Sequence, residues 1–196
     1  TYLITHDTHQ GLADLSCWWR NKFSAQIKIV GITGSNGKTT VKEMIASILR
    51  YEAGVDKVLA TKDNFNNHIG VPKTLLELTS NHDYAVVEMG MSNSGELEQL
   101  TRVVRPDIAV ITNIGTAHIG ELGSQAAIAE AKSEIICGLP KDGVLIVEAG
   151  GEYTDYLINK CSGREVLSFG KSPDADVLAE YSQSARLTTL KIIYQS

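Results

Sequence analysis

The stretch that decides the fold is Val30-Gly31-Ile32-Thr33-Gly34-Ser35-Asn36-Gly37-Lys38-Thr39-Thr40, between a β-rich run and an amphipathic segment. The run Ile27–Thr33 predicts a strand, and the apolar spacing from Lys38 to about Tyr51 predicts a helix. Glycines allow backbone N–H groups of such a turn to converge on an anion, and the following helix directs its positive end to the same point. The stretch therefore predicts a phosphate-binding loop between a strand and a helix.

Single positions in this loop have distinct expected roles. Lys38 is expected to reach the β- and γ-phosphates of a nucleotide, and the Thr39 hydroxyl to contact Mg²⁺. The loop departs from a strict G-x-x-x-x-G-K-[ST] pattern, because Ile32 occupies the first glycine position and Gly34 follows two residues later. The residues predicted to hold the nucleotide are Thr33, Gly34, Ser35, Asn36, Gly37, Lys38, Thr39 and Thr40.

Strands and helices alternate along the rest of the chain. Further strands are predicted at residues 57–61, 84–89, 108–113, 143–148 and 165–169, and helices at residues 71–78, 95–104, 124–137 and 153–161. Such alternation predicts an α/β fold with a mostly parallel sheet and helices on both faces. After Pro173 the helical signal disappears, and β-rich runs at 176–181 and 186–194 predict a small antiparallel hairpin or subdomain.

The two ends of the chain bear on its domain organisation. Residues 9–23 carry apolar side chains at helical spacing and predict a lead-in helix. We expect residues 1–25 to be the tail of a preceding domain with this helix, and residues 26–196 to be the α/β domain. The chain begins at Thr1 without Met and closes on an alternating, strand-like pattern. Both ends predict a C-terminally truncated piece of a longer protein.

Composition and charge exclude several classes of protein. The 196 residues are 43% hydrophobic with a net charge of −5, which is typical of a globular domain and argues against general nucleic-acid binding. No apolar run approaches the roughly 20 residues that span a bilayer, and no signal-like leader is present. The three cysteines lack metal-ligand spacing and predict reduced thiols in the cytoplasm; they are Cys17, Cys137 and Cys161.

Three charged or polar residues follow predicted strands or lie near their ends. Because ligands of an open parallel sheet bind beyond the carboxyl ends of its strands, Glu88 beside a nucleotide loop is expected to hold a metal. A surface carboxylate is the alternative. His118 alone indicates a hydrogen-bonding group, since imidazole is a poor ligand for Mg²⁺. Lys132, within a predicted helix, by itself indicates a solvated surface side chain.

The loop 61–70 is dense in amide side chains. Asparagine bonds its own backbone and tolerates left-handed conformations, so turn chemistry explains these residues. A substrate or phosphate contact at the same rim of the sheet explains them equally well. Composition alone leaves both interpretations open.

Four segments in this order resemble the ATP-dependent Mur ligases of peptidoglycan synthesis. They are Gly31–Met44, Asn64–Leu76, Glu88–Glu96, and Asn113–His118 with Ala131–Ile135. Within the family they are similar to the branch that adds D-alanyl-D-alanine to UDP-MurNAc-tripeptide, and the resemblance covers about residues 1–180. A sister ligase such as MurE or folylpolyglutamate synthase is one alternative. A nucleotide-binding module that has lost catalysis is another.

The resemblance implies ATP and Mg²⁺ as cofactors and assigns roles by position. The implied catalytic residues are Lys38, Glu88, His118 and Lys132. The implied metal ligands are Thr39 on one Mg²⁺, Glu88 and His118 on a second metal, and Lys132 as a carbamate. The residues that match positions contacting the γ-phosphate and the substrate carboxylate are Asn66, Asn67 and His68.

The resemblance also implies a reaction and its partners. The carboxylate of UDP-MurNAc-tripeptide attacks the γ-phosphorus of ATP, and the amine of D-Ala-D-Ala then displaces phosphate from the acyl phosphate. Neither a nucleic-acid partner nor a membrane span is expected, and the enzyme is expected to be a monomer in the bacterial cytoplasm. The domains that bind UDP and deliver the dipeptide are absent from these residues. The piece alone is therefore expected to bind nucleotide weakly and not to ligate.

Overall fold

One mixed sheet organises the computed structural model, which describes residues 4–183 and 188–195. Its strands within these ranges are β1 Lys28–Thr33, β2 Val58–Ala60, β3 Tyr84–Glu88, β4 Ile108–Ile111, β5 Val144–Glu148, β6 Glu165–Gly170, β7 Val177–Gln183 and β8 Thr188–Tyr194. They are ordered β2-β3-β1-β4-β5-β6-β7-β8. All neighbouring pairs are parallel except β7 and β8, so the predicted α/β architecture is confirmed.

The helices connect most of these strands. They are α1 Thr8–Asn21, α2 Lys38–Ala53, α3 Gly70–Leu76, α4 Glu96–Val104, α5 Ile119–Leu122, α6 Gln125–Ser133 and α7 Thr154–Lys160. The helix predicted over 124–137 ends earlier, because its last turn is the 3₁₀ segment Glu134–Gly138. The four residues of α5 are too few to show helical periodicity, and it was not predicted. Within the described ranges no helix is both long and apolar enough to cross a membrane.

The phosphate loop lies at the point where the order of strands in the sheet reverses direction. The chain leaves β1 towards β2 and β3 on one side and reaches β4 on the other, so β1 lies between β3 and β4. Ligands of open α/β sheets bind at such a switch point, beyond the carboxyl ends of the strands. The loop that follows β1 occupies this position.

Two apolar clusters cover the faces of the sheet. On one face, Val30, Ile32 and Val86 pack with Ala46 of α2. On the other, strand residues pack with α3, α4 and the 3₁₀ segment through Leu75, Leu97 and Ile135. Helices therefore lie on both faces, as predicted.

The antiparallel hairpin continues the main sheet. β7 pairs with β6 only at Phe169↔Val177 and Gly170↔Leu178, and β8 then runs antiparallel to β7 along its length. The strand β7 consequently extends beyond the carboxyl end of β6. Residues 186–187 of the predicted last strand lie outside the described residues.

The lead-in helix α1 packs on α3 and α4. Arg20 is 5% exposed and donates from Nε to Val104 O at 3.1 Å and from Nη2 to Arg105 O at 3.0 Å. Trp19 Nε1 donates to Leu78 O at 2.9 Å. These contacts tie residues before the first strand to the α/β unit, and the domain boundary at residue 25 stays a prediction.

Candidate active site

The backbone of the phosphate loop requires glycine at Gly34. Its φ is +148°, and a Cβ there would lie 1.8 Å from Thr112 Oγ1. Gly37 has a φ of +79° at the residue before α2, a conformation that side chains disfavour. The loop can therefore approach β4 closely and turn directly into the helix.

Residues that follow β4 hold the loop in place. Asn36 O accepts from Thr112 Oγ1 at 2.6 Å and from Asn113 Nδ2 at 3.2 Å. Ser35 N donates to Asn113 O at 3.1 Å, and Asn36 N donates to Asn113 Oδ1 at 3.0 Å. Sequence reasoning did not assign Thr112 and Asn113 to the site. Their position directly after a strand was the available signal.

Lys38 folds back on its own loop. Its Nζ lies 2.8 Å from Gly34 O and 3.4 Å from Ser35 O. Burial lowers the pKa of Lys38, and the charge of Glu88 opposes this shift. The first-turn N–H groups of α2 have no partner within their own helix, so they and Lys38 form an anion-binding arrangement.

Glu88 connects the phosphate loop to the loop 61–70, called the asparagine-rich loop below. Its side chain is buried, with one oxygen accepting from Thr39 Oγ1 at 2.9 Å and the other from Asn66 Nδ2 at 2.8 Å. Its backbone N–H donates to Thr61 Oγ1 at 2.9 Å. The last residue of β3 is thereby held between the first turn of α2 and the loop that follows β2.

The asparagine-rich loop divides its side chains between folding and the site. Asn67 Oδ1 accepts from Ile69 N at 3.1 Å and Gly70 N at 2.9 Å, at the start of α3. This is the turn chemistry that composition allowed. The exposed ring of His68 contacts that of His9 in α1, with centroids 4.8 Å apart.

A cleft of about 510 Å³ opens beside the loop. Of the predicted nucleotide residues only Lys38 lines it, together with His118 and the three predicted substrate residues Asn66, Asn67 and His68. Glu88 is buried and does not line the cleft itself; Asn66, which does, donates to its carboxylate. His118 adopts the left-handed conformation, with φ +69°, at the residue that precedes α5. A histidine in this region costs of order 1 kcal/mol and is typical of functional sites.

Lys132 is buried, not solvated as its helical position alone indicated. It is 1% exposed on α6. Burial, and then the positive charge of Lys38, lowers the pKa of Lys132 to about 8. Lys132 therefore lies close enough to Lys38 for the positive charge of Lys38 to disfavour its protonated form.

The donor groups can accommodate Mg²⁺. The described ranges hold no cluster of three or more His, Cys, Asp or Glu. The Thr39 hydroxyl and the Glu88 carboxylate are oxygen donors in direct contact, and a carboxylate has about four lone-pair positions, of which two are used here. Oxygen ligands of this kind are those that Mg²⁺ prefers.

A phosphate loop at the switch point of a parallel sheet, with an acid on its threonine, is typical of P-loop nucleotide-binding proteins. Residues 32–195 match the family model described as the Mur ligase middle domain. The chain belongs to this family.

Similar proteins include ligases from several bacteria. The UDP-N-acetylmuramoyl-tripeptide–D-alanyl-D-alanine ligase of Haemophilus influenzae is 42% identical over 96% of this chain and 41% of its own length. A crystal structure of MurF from Acinetobacter baumannii has a TM-score of 0.89 and 38% identity, covering 97% of this chain and 41% of that one. The chain thus spans about two fifths of these relatives.

Two other solved structures bear on ligands and on sister enzymes. MurF from Thermotoga maritima in complex with ADP has a TM-score of 0.83 at 27% identity, covering 97% of this chain and 43% of that one. A UDP-N-acetylmuramoyl-L-alanyl-D-glutamate–2,6-diaminopimelate ligase is 18% identical with a TM-score of 0.72, covering 94% of this chain and 42% of that one. The second likeness is one of fold alone.

Proposed function

We propose that this chain is the ATP-binding part of a ligase that joins D-alanyl-D-alanine to UDP-MurNAc-tripeptide. The observation that carries the proposal is the contact of Glu88 with both Thr39 and Asn66, because it joins a nucleotide loop to the loop expected to meet the acceptor. Relatives named as this ligase, at identities near 40%, support the same activity.

The phosphate loop is proposed to hold ATP. The first-turn N–H groups of α2 would contact the phosphates, with Lys38 exchanging its loop carbonyls for phosphate oxygens. The ADP complex of a relative supports a nucleotide at this place. Thr33, Gly34, Ser35 and Asn36 give the loop its shape, while Gly37 to Thr40 supply the open helix end.

The proposed reaction brings two anions together. The acceptor carboxylate attacks the γ-phosphorus, and the bond between that phosphorus and the leaving oxygen of ADP breaks. The dipeptide amine then attacks the acyl carbon, loses a proton and releases phosphate. Lys38 contributes positive charge during phosphoryl transfer, and the other site residues orient the reacting groups.

Thr39 would contact one Mg²⁺, and Glu88 and His118 would hold a second metal, with Lys132 as a further oxygen ligand. The bound metals would supply charge neutralisation to the phosphates. Lys132 is proposed to act as a carbamate. With a pKa of about 8, roughly a tenth of its amine is neutral at pH 7, and the neutral amine adds CO₂ with loss of one proton. Asn66, Asn67 and His68 line the cleft in which the acceptor carboxylate would lie.

Activity of the full-length enzyme tests this function. We expect ATP turnover that depends on UDP-MurNAc-tripeptide, D-Ala-D-Ala and Mg²⁺. Lys38→Met should lose at least 100-fold, while Lys141→Met, at an exposed lysine, should be unchanged. A panel with UDP-MurNAc-dipeptide plus a diamino acid, and with folate plus glutamate, distinguishes the sister ligases. Full ATP turnover in Lys38→Met would contradict the assignment of the nucleotide site. Nucleotide binding by the wild-type enzyme without ATP turnover would favour a non-catalytic module.

The carbamate has a separate test. In buffer with ¹³C-bicarbonate, we expect a carbamate carbon resonance in the full-length enzyme that is absent from Lys132→Arg. The same experiment on Lys160→Arg is the control.

The enzyme is expected to act as a monomer in the bacterial cytoplasm. Light scattering of the full-length protein checks the oligomeric state, and cell fractionation checks the localisation.

A further inference from the structure

Lys42 is a charged side chain that the proposed reaction does not use. It is 1% exposed and lies one turn after Lys38 on α2. Its Nζ donates to Thr61 O at 2.7 Å and pairs with Glu43 Oε1 at 2.7 Å. Burial of an ammonium is unfavourable unless it is well paired, and these two contacts pair it and hold the side chain in place.

Thr61 connects Lys42 to Glu88. The residue follows β2, is 2% exposed, and accepts from Lys42 at its carbonyl. Its N–H donates to Val86 O at 3.0 Å, and its hydroxyl accepts from the Glu88 N–H at 2.9 Å. Thr61 is therefore fixed by α2 and, in turn, fixes the end of β3.

This backbone contact lies at the end of β3, beside the residue that carries the carboxylate. Glu88 is the last residue of β3, and register with β1 extends only to Ile32↔Glu88. Beyond it, Met89 N still donates to Ile32 O at 2.8 Å, and Gly90 N donates to Asn66 O at 2.8 Å. The Thr61 hydroxyl thus bonds the Glu88 N–H on the β2 side of β3, just beyond the last paired residues Ala60↔Val86.

We propose that Lys42 is a positioning residue: through Thr61 it fixes the backbone of Glu88, so that the carboxylate meets Thr39 at the phosphate loop. This rests on the proposed function, in which Glu88 contacts the nucleotide-bound metal. A purely structural tie between α2 and β2 makes a different prediction. It expects loss of stability upon substitution with an unchanged response to Mg²⁺.

The test measures binding of the non-hydrolysable analogue AMP-PCP to the full-length enzyme by calorimetry over a Mg²⁺ titration. In Thr61→Val, which keeps the shape and removes the hydroxyl, the Mg²⁺ concentration for half-maximal binding should rise at least fivefold. Thr61→Ser, which keeps the hydroxyl, should restore the wild-type value. Lys42→Met should resemble Thr61→Val, while Lys28→Met, at the amino end of β1, should not differ from wild type.

A double variant and Glu88→Gln complete the test. Lys42→Met with Thr61→Val should shift the Mg²⁺ requirement no further than either change alone, because both act on one path. If Glu88→Gln raises the requirement but Thr61→Val and Lys42→Met do not, the positioning role is overturned and the proposed function stands. If Glu88→Gln also leaves it unchanged, both fail. Should Lys42→Met not fold, the two Thr61 variants decide.

Discussion

Thr39 Oγ1 donates to Glu88 Oε2 across 2.9 Å, joining the first turn of α2 to the last residue of β3. The two residues are 49 positions apart in sequence and meet because β1 and β3 are adjacent and parallel. The contact aligns a hydroxyl and a carboxylate, both oxygen donors, at the positive end of a helix. The metal and the phosphates of the proposed reaction would share this point.

Removal of either oxygen donor is expected to abolish metal-dependent turnover. Thr39→Val and Glu88→Gln should each lower Mg²⁺-dependent ATP turnover of the full-length enzyme at least 100-fold. The reason is that the Mg²⁺ that neutralises the phosphates would lose a ligand or its charge. Thr39→Ser keeps the hydroxyl and should remain within tenfold of wild type. Equal activity in Thr39→Val and Thr39→Ser would refute a role for the hydroxyl.

Lys132 is expected to make stability depend on pH. Its pKa is about 8 when folded and 10.5 as the unperturbed value, so the unfolded chain binds more protons between these values. Stability of the wild type should therefore rise from pH 8 to pH 10.5 relative to Lys132→Met, by about 1–3 kcal/mol.

Thermal unfolding of the full-length enzyme in CO₂-free buffer, at pH 7 and at pH 10, measures this difference. Lys141→Met replaces an exposed lysine and should follow the wild type at both values. A constant gap between wild type and Lys132→Met across the range would contradict the buried ammonium.

Gly34→Ala is expected to disrupt the phosphate loop. The added Cβ would meet Thr112 Oγ1 in a backbone conformation that alanine disfavours, at a cost of about 1–3 kcal/mol. Urea unfolding should show the loss, and Gly34→Ala with Thr112→Ala should recover part of it. Gly120→Ala, where a Cβ meets open space, is the matched control. No recovery in the double variant would attribute the loss to φ alone.

Arg20→Met is expected to loosen α1 from the α/β unit. It leaves the carbonyls of Val104 and Arg105 without their donors, which costs about 1–3 kcal/mol. Amide hydrogen exchange in α1 should accelerate at least tenfold, while exchange in β1 and β4 stays as in wild type. Lys22→Met is the control, and unchanged exchange in α1 of Arg20→Met would argue that other contacts hold the helix.

Local chemistry made part of this site predictable. Lys38 and Thr39 belong to a loop whose flanking strand and helix are visible as patterns, and Glu88 ends an apolar run. Thr61, Thr112 and Lys42 act through the order of strands in the sheet, which sequence spacing does not specify. A helical pattern likewise placed Lys132 on a helix without stating which face is buried.

The asparagine-rich loop shows a second limit of prediction from sequence. Composition allowed turn chemistry or ligand contact, and the structure shows the first at Asn67, whose Oδ1 accepts from Gly70 N at the start of α3, while Asn66 bonds Glu88. Neighbouring residues of one type thus differ by the partner that the fold places beside each side chain. Only tertiary structure separates them.

The attachment of the phosphate loop to Thr112 and Asn113 has a thermodynamic consequence. Ordering a flexible loop costs about 1–2 kcal/mol of backbone entropy per residue. Here Ser35 and Asn36 are held by hydrogen bonds to residues after β4. That entropy is lost when the chain folds, so an arriving nucleotide meets a preorganised receptor and its binding free energy is not spent on assembling one.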